Sequence, residues 1–271
     1  MVSIIVPTRN SETTLKACLN SIALQTYPHI ELVVVDRDST DTTKAIARQF
    51  TDKVYNHGPE RSAQRNFGVS KTKGEFVVII DSDMELASEV ITACVQKMTD
   101  NPGLGGIIIP EESFGEGFWA QCKRLERSFY VGIDWMEAAR FFKKSLYQQL
   151  GGYNTKLVSG EDWDLSQRIA QVAPLDRVMA FIQHNEGQLK LGVTLKKKYY
   201  YAKKFTAYMR ANKDTAAVGL QTGIFARYGL FLSKPKQLLK NPLQSLGMLF
   251  MKTCEFGVGG LAYLWTKGDK L

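Results

Sequence analysis

Asp81-Ser82-Asp83 sets two carboxylates one residue apart, directly after the apolar run Phe76-Val77-Val78-Ile79-Ile80. A β-branched and aromatic run of this length reads as a buried strand. α/β sheets place their ligand sites at the C-terminal ends of such strands. Carboxylates this close repel each other unless a cation lies beside them. A hard divalent ion such as Mg²⁺ or Mn²⁺, held by one or two carboxylates and substrate phosphates, meets that need. The triplet taken alone is equally a strand-end turn, where Asp and Ser are common.

The elements that must position this triplet alternate along the first hundred residues. Ser3–Val6 and Ile30–Val35 read as strands, followed by a brief strand at Val54-Tyr55 and then Phe76–Ile80. Between the first two, Leu15, Cys18, Leu19, Ile22 and Ala23 recur at helical spacing behind a cap at Asn10 or Ser11. Thr42–Phe50 and Arg61–Val69 supply two more helices. Strands alternating with amphipathic helices imply right-handed crossovers and a mainly parallel sheet. Farther on, a helix from Ala87, a strand at Gly106–Ile109, a mobile acidic loop at 111–117 and a helix over Phe118–Val131 are expected. Strands at Ala139–Phe142 and Val178–Gln183 and a helix over Trp163–Gln171 complete the pattern. Neither Gly-x-Gly-x-x-Gly after the first strand nor Gly-Lys-Ser/Thr occurs, which argues against a dinucleotide enzyme and a P-loop NTPase.

Composition is that of a globular chain, with 271 residues, 44% hydrophobic and 23% charged. Cys18, Cys94, Cys122 and Cys254 have no Cys-x-x-Cys spacing, which disfavours a zinc site or disulfide framework and favours a reducing compartment. The first residues are too short and uncharged for a signal peptide. The net charge of +8 is unevenly spread: residues 188–271 carry 15 Lys/Arg against 3 Asp/Glu, and the remainder 20 against 24. A mildly acidic body with a strongly basic end implies two surfaces with different partners.

Several motifs stand in fixed order over about residues 1–187: 2–12 (VSIIVPTRNSE), 32–36 (LVVVD), Ser39-Thr40-Asp41, 63–69 (AQRNFGV), Asp81-Ser82-Asp83, Gly151-Gly152-Tyr153 and Gly160-Glu161-Asp162. Together they resemble the family 2 glycosyltransferases of the GT-A fold. One departure is Arg37-Asp38, where the family more often has a small or Gly/Asn-type pair. The resemblance implies a Rossmann-like, mainly parallel α/β sheet flanked by helices, and a nucleotide-sugar donor with UDP as first choice. It implies that Asp36 accepts from the N3–H of uracil and that Pro7, Thr8, Arg9 and Glu12 line the base and ribose. Arg61 or Arg65 would contact a base carbonyl or a diphosphate oxygen, unless both form a solvated helix face. Asp81, with Ser82 beside it, would face the ribose, and Asp83 would bind Mn²⁺ or Mg²⁺ directly. His184 would complete the metal shell or contact the diphosphate, the alternative being a structural histidine.

Glycosyl transfer also needs a base for the acceptor hydroxyl. By the same resemblance Asp162 is that base, acting with inversion, and Glu161 orients the loop or binds acceptor hydroxyls. The alternative is an acidic pair favoured by the helix macrodipole, and Asp164 adds a third carboxylate one turn on.

After residue 190 the chain turns basic, aromatic and helical. Lysines 196–198, 203 and 204 flank tyrosines 199–201, as at a nucleic-acid platform or an anionic membrane surface. Ala216–Leu232 has one charge, and Pro242–Trp265 has two. These apolar segments favour a C-terminal helical membrane-associating region lying on the membrane surface over nucleic acid, with a dimer interface or core helices as the alternative. The expected organisation is a GT-A catalytic domain at 1–190 and this region at 191–271. The expected protein is a peripheral enzyme on the cytoplasmic side of the cell membrane, acting on a lipid-linked or glycan acceptor. The rival readings are a polyprenyl-phosphate sugar synthase using GDP- or UDP-sugar, and a non-catalytic nucleotide-sugar or nucleic-acid binding protein.

Overall fold

The computed structural model describes residues 1–268; residues 269–271, the end of the expected C-terminal region, lie outside the described residues. The chain runs β1 (Val2–Thr8), α1 (Leu15–Ala23), β2 (Ile30–Asp36), α2 (Thr43–Ala47), β3 (Val54–Asn56), α3 (Arg61–Ser70), β4 (Phe76–Ile79), β5 (Met84–Leu86), α4 (Val90–Asp100) and β6 (Gly106–Ile108). It continues with β7 (Glu111–Glu116), α5 (Gly117–Ser128), β8 (Ala139–Lys143), α6 (Lys144–Gln149), α7 (Glu161–Ala170), β9 (Leu175–Arg177) and β10 (Ile182–Gln188). Five helices follow: α8 (Leu191–Ala211), α9 (Ala216–Thr222), α10 (Ile224–Leu232), α11 (Pro235–Lys240) and α12 (Pro242–Gly268).

The main sheet has the order β3-β2-β1-β4-β8-β6-β9. Strands β1 to β4 are parallel, β8 is antiparallel to both β4 and β6, and β9 is parallel to β6. Strand alternation explains how an apolar run serves two cores. Ile4 and Val6 of β1 face one cluster with Leu15, Cys18 and Leu19 of α1, while Ile5 faces a second with Val69 of α3 and Leu165 and Ile169 of α7. Helix α3 lies so close to the sheet that a Cβ at Gly68 would come 2.4 Å from Ile5 Cγ2.

By contact density the chain divides into two units. The first comprises Met1–Glu111, Ala138–Thr155 and Glu161–Asn185; the second comprises Glu112–Glu137, Lys156–Gly160 and the chain from Glu186 onward. The second unit has its own core, in which Cys122, Phe129, Phe231, Met248 and Met251 are all buried.

Three expectations change. The acidic stretch at 111–117, read as a mobile loop, forms β7 in a separate three-stranded sheet of order β5-β10-β7, held by backbone pairing that no hydrophobic pattern announces. Of Val178–Gln183, read as one strand, only Ile182 and Gln183 are strand, in β10; residues 178–181 are the link by which the chain leaves β9 of the main sheet for the smaller one. The third change concerns the C-terminal membrane-associating region. Among the described residues no helix is long and apolar enough to cross a membrane. Helices α8 and α12 belong to the helical unit, and Lys252 and Glu255 of α12 are buried in it at 4% and 3% exposure.

Candidate active site

The strand order reverses beside β1: β2 and β3 lie on one side of it and β4 on the other. The loops leaving β1 and β4 therefore part, opening a crevice at the C-terminal ends of the strands. Thr8, Asp36 and Asp81 end or follow β1, β2 and β4, and all converge there through the parallel register Thr8↔Asp36 and Ile5↔Ile79.

On the β1–β2 side, Asp36 is 1% exposed. Its carboxylate accepts from Thr8 Oγ1 at 3.0 Å, Ser39 Oγ at 2.5 Å and Ser39 N–H at 2.8 Å. Three of its roughly four acceptor positions are thus taken by its own loop. Glu12 is exposed and accepts from both the backbone and hydroxyl of Thr42, while Asn10, at φ 48°, accepts from Thr40 N–H. Asn10 and Ser11 do not cap α1 with a side chain; the helix begins later, at Leu15. Pro7 is buried in β1 opposite Val35, and Arg9 is exposed at the strand's end. Gln64 of α3, 2% exposed, donates to Thr8 O at 2.9 Å and Val35 O at 2.7 Å, binding the ends of β1 and β2 together. Sequence reasoning gave Gln64 no role, although it stands inside one of the ordered motifs.

On the β4 side lies an alternating lattice of arginines and carboxylates. Arg65 is 0% exposed; its Nη2 donates to Asp81 Oδ1 at 2.8 Å and its Nη1 to Asp162 Oδ1 at 2.8 Å, with Glu161 Oε1 at 3.4 Å. Arg140 lies 3.6 Å from Asp81 Oδ2 and pairs with Glu111 at 2.7 Å. Arg61, with a side chain 44% exposed, pairs with Glu161 at 3.3 Å. Burial alone would raise the Asp81 carboxyl, but Arg65, Arg140 and Arg61 outweigh it and hold Asp81 well below the usual carboxylate range. Burial, reinforced by Asp162 beside it, pushes Glu161 up. Asp164 pairs with Arg168 at 2.7 Å and is 5% exposed, so its carboxylate is engaged away from the accessible Asp162, whose side chain is 28% exposed.

The glycine motif serves this lattice from beneath. Asn66 donates to Tyr153 O at 2.8 Å and accepts from Tyr147 OH at 2.6 Å and Tyr153 N–H at 2.9 Å. Gly152, at φ +65°, would carry a Cβ only 2.5 Å from Asn66 Oδ1, so the close approach needs glycine. Tyr153 then lies under Arg65, its ring centroid 4.8 Å from the guanidinium carbon.

Asp83 and His184 meet at the edge of the crevice. Met84 and His184 are partners in the β5–β10 pair, and Asn185 N–H donates to Asp83 O at 2.8 Å. Asp83 Oδ2 and His184 Nε2 are 3.3 Å apart. That is close to the ~3 Å between adjacent ligands of an ion bound at about 2.1 Å. Glu111 Oε2 lies 3.9 Å from His184 Nδ1, on the opposite side of the ring. A carboxylate oxygen and an imidazole nitrogen suit Mn²⁺, so the two residues fit the implied ion. Among the described residues no group of three or more His, Cys, Asp or Glu converges on one point, so further ligands would be donor phosphates and water. Ser82 Oγ bonds Ser11 Oγ at 2.8 Å and ties the triplet to the β1 loop.

The model of glycosyl transferase family 2 matches residues 3–157, more than half of the chain, and the chain belongs to that family. It is 25% identical over 272 residues to the GalNAc(5)-diNAcBac-PP-undecaprenol beta-1,3-glucosyltransferase of Campylobacter jejuni, covering 93% of this chain and 79% of that protein. It is 32% identical over 197 residues to glycosyltransferase GlyA of Streptococcus pneumoniae, covering 62% of this chain but only 28% of that one. Among solved structures, the mannosyltransferase PcManGT from Pyrobaculum calidifontis, in complex with GDP-Man and Mn²⁺, superposes with a TM-score of 0.63 at 18% identity, covering 98% of this chain and 87% of that one. S. aureus TarS 1–349 in complex with UDP-GlcNAc gives 0.55 at 21% identity, covering 75% and 66%. These likenesses carry the fold.

Proposed function

We propose that this glycosyltransferase moves a sugar, with inversion, from a nucleoside-diphosphate donor to a hydroxyl of a lipid-linked or polysaccharide acceptor. One observation carries the reading: a single buried guanidinium, Arg65, binds both Asp81 at the end of β4 and the accessible Asp162 at the start of α7. A donor-side carboxylate and a candidate base are thereby held at fixed spacing in one crevice. In this reading Asp162 takes the acceptor's proton as the hydroxyl attacks the anomeric carbon. Glu161 stays beneath and aims Arg61 and Arg65 at their partners. Asp83 and His184 would hold the divalent ion, which when bound supplies Lewis-acid stabilisation of the departing diphosphate. The lipid-linked acceptor is supported by the name of the Campylobacter relative, which matches nearly the whole chain.

The test is release of nucleoside diphosphate from UDP-glucose, UDP-N-acetylglucosamine and GDP-mannose, each with Mn²⁺ and with chelator, in the presence of undecaprenyl-linked glycans. Mn²⁺-dependent release from at least one donor is expected. Absence of both nucleotide release and thermal stabilisation by UDP or GDP would remove the reading.

A further inference from the structure

Arg65 is the largest side chain buried to under 2% exposure. Burying a cation this deeply is costly unless fixed partners offset it. Here both terminal nitrogens are spent on carboxylates at 2.8 Å, the ring of Tyr153 lies beneath, and Nε is buried with no hydrogen-bond partner. No N–H is left directed at solvent for a phosphate or a base. The two carboxylates come from distant parts of the chain, one after β4 and one in the first turn of α7. Arg140 brackets Asp81 from its other oxygen and is itself anchored on Glu111.

We propose that Arg65 is a positioning residue that sets Asp162 against Asp81 and does not touch the donor. The inference rests on the reading of Asp162 as the base. A planar guanidinium offers divergent donors in a rigid fork, so one group fixes the direction of two carboxylates at once. With Oδ1 of Asp162 tied down, the rest of that partly exposed carboxylate faces the crevice in one orientation. A lysine at this position keeps the charge but, as a compact point charge on a flexible stem, cannot hold both carboxylates in that geometry.

The experiment is a double-mutant cycle of R65K and D162N on the full chain, with UDP and Mn²⁺ as the binding probe. Turnover is read as nucleoside diphosphate release from the most active donor. R65K is expected to lower kcat about 10²-fold while UDP affinity stays within about 3-fold, the signature of an interaction that acts in the reaction rather than in donor binding. In the D162N background R65K should cost less than about 3-fold, because a residue acting through Asp162 has nothing left to position.

A tenfold or greater loss of UDP affinity in R65K, with kcat at saturating donor retained, would assign Arg65 to the donor and overturn the proposal. An undiminished loss in the D162N background would make Arg65 merely structural and overturn it equally. If thermal unfolding shows that R65K does not fold, the cycle is run with Y153L, which loosens Arg65 without changing a charge; a kcat loss of about 10-fold that vanishes in D162N is then expected. A wild-type protein that neither binds UDP or GDP nor releases either from a donor defeats the proposed function first, and this inference with it.

Discussion

Thr8 and Asp36 face each other in register at the ends of β1 and β2, and the Thr8 hydroxyl donates to the Asp36 carboxylate at 3.0 Å. That carboxylate also carries Ser39, through its hydroxyl and its N–H, so it closes the loop that begins α2. An amide in its place has one acceptor oxygen and must turn an NH₂ toward Ser39 or Thr8. Asp36→Asn should therefore cost about 1–3 kcal/mol by leaving buried polar groups mismatched. It should also weaken UDP binding by disordering the loop. Thermal unfolding without ligand separates the two roles: a full-stability Asp36→Asn that has lost UDP affinity would make Asp36 a direct base contact instead.

Asp83 has a side chain 43% exposed, and His184 is its neighbour at 3.3 Å. Asp83→Ala should leave the fold intact, since little is buried, yet abolish the Mn²⁺ dependence of UDP affinity. His184→Ala should weaken it by about 10-fold or more, in the range seen when metal-site residues are removed. Calorimetric titration of UDP with and without Mn²⁺ reads both. Equal Mn²⁺ enhancement in wild type and Asp83→Ala would refute the metal pair.

Asp162→Asn should keep UDP affinity within a few-fold and lower turnover by about 10²–10⁴-fold, the usual contribution of a positioned base. The amide still accepts from Arg65 through its oxygen, so the lattice survives while the proton acceptor is lost. Steady-state kinetics against donor and acceptor decide it. Retained turnover would point to an acceptor that is already ionised, such as a polyprenyl phosphate.

Much of this arrangement was legible in the residue order. The two-faced strands and the triplet at the end of β4 follow from periodicity and from carboxylates placed after an apolar run, while the acidic pair opening α7 stands out through the family resemblance. What was not legible was pairing at a distance. Nothing local to Arg65 announces that its partners are residues 81 and 162, so a helix-borne arginine read as a donor contact or a solvated face. The same holds for Gln64, whose two carbonyl partners lie on different strands. Strand β7 escaped because three of its six residues are glutamates and one is glycine, and its pairing is a backbone matter. In α12, Lys252 and Glu255 read as interruptions of an apolar stretch, whereas their burial beside Glu126 and Lys123 depends on a helix more than a hundred residues earlier.

At the opposite end of the main sheet from the crevice, Glu31 is 7% exposed and binds Ser3 Oγ at 2.5 Å, Lys73 N–H at 2.7 Å and the Lys53 ammonium. Burial works against its charge, but these three donors prevail and lower its pKa from the ordinary 4.5 to about 2. A carboxyl lowered in the folded state binds protons more readily when unfolded. Its contribution is therefore complete above about 4.5 and fades as pH falls toward about 2. That contribution is about 2 kcal/mol once solvent screening at the half-exposed Lys53 is allowed for. Urea unfolding from pH 7 to pH 3 should show Glu31→Gln to be less stable at pH 7 and less sensitive to acid. Parallel pH profiles for the two proteins would exclude Glu31 as a source of acid sensitivity.

The helical unit hides a second set of charges whose removal should be more damaging. Lys252 Nζ lies 2.5 Å from both Glu126 and Glu255, and Lys123 lies 3.0 Å from Glu126 and 3.7 Å from Glu255. Tyr130 OH also donates to Glu126 and in turn accepts from Arg227 at 2.8 Å. Burial would raise the Glu126 carboxyl, yet Lys123 and Lys252 hold it well below its ordinary value. Replacing Lys252 with Met leaves two buried carboxylates sharing one lysine, and breaking a buried pair from one side costs about 3–5 kcal/mol. Replacing a matched pair, as Lys252→Met with Glu255→Gln, leaves Lys123 balanced by Glu126 at 3.0 Å and should recover much of that loss. Denaturant unfolding of the single and double variants at pH 7 measures the difference. If Lys252→Met alone costs under about 1 kcal/mol, within the range of an exposed pair, water reaches these groups and they do not lock α12 onto α5. If the double variant is weaker than the single one, the amide left behind is the greater burden, and Lys252 holds the unit together by geometry as much as by charge.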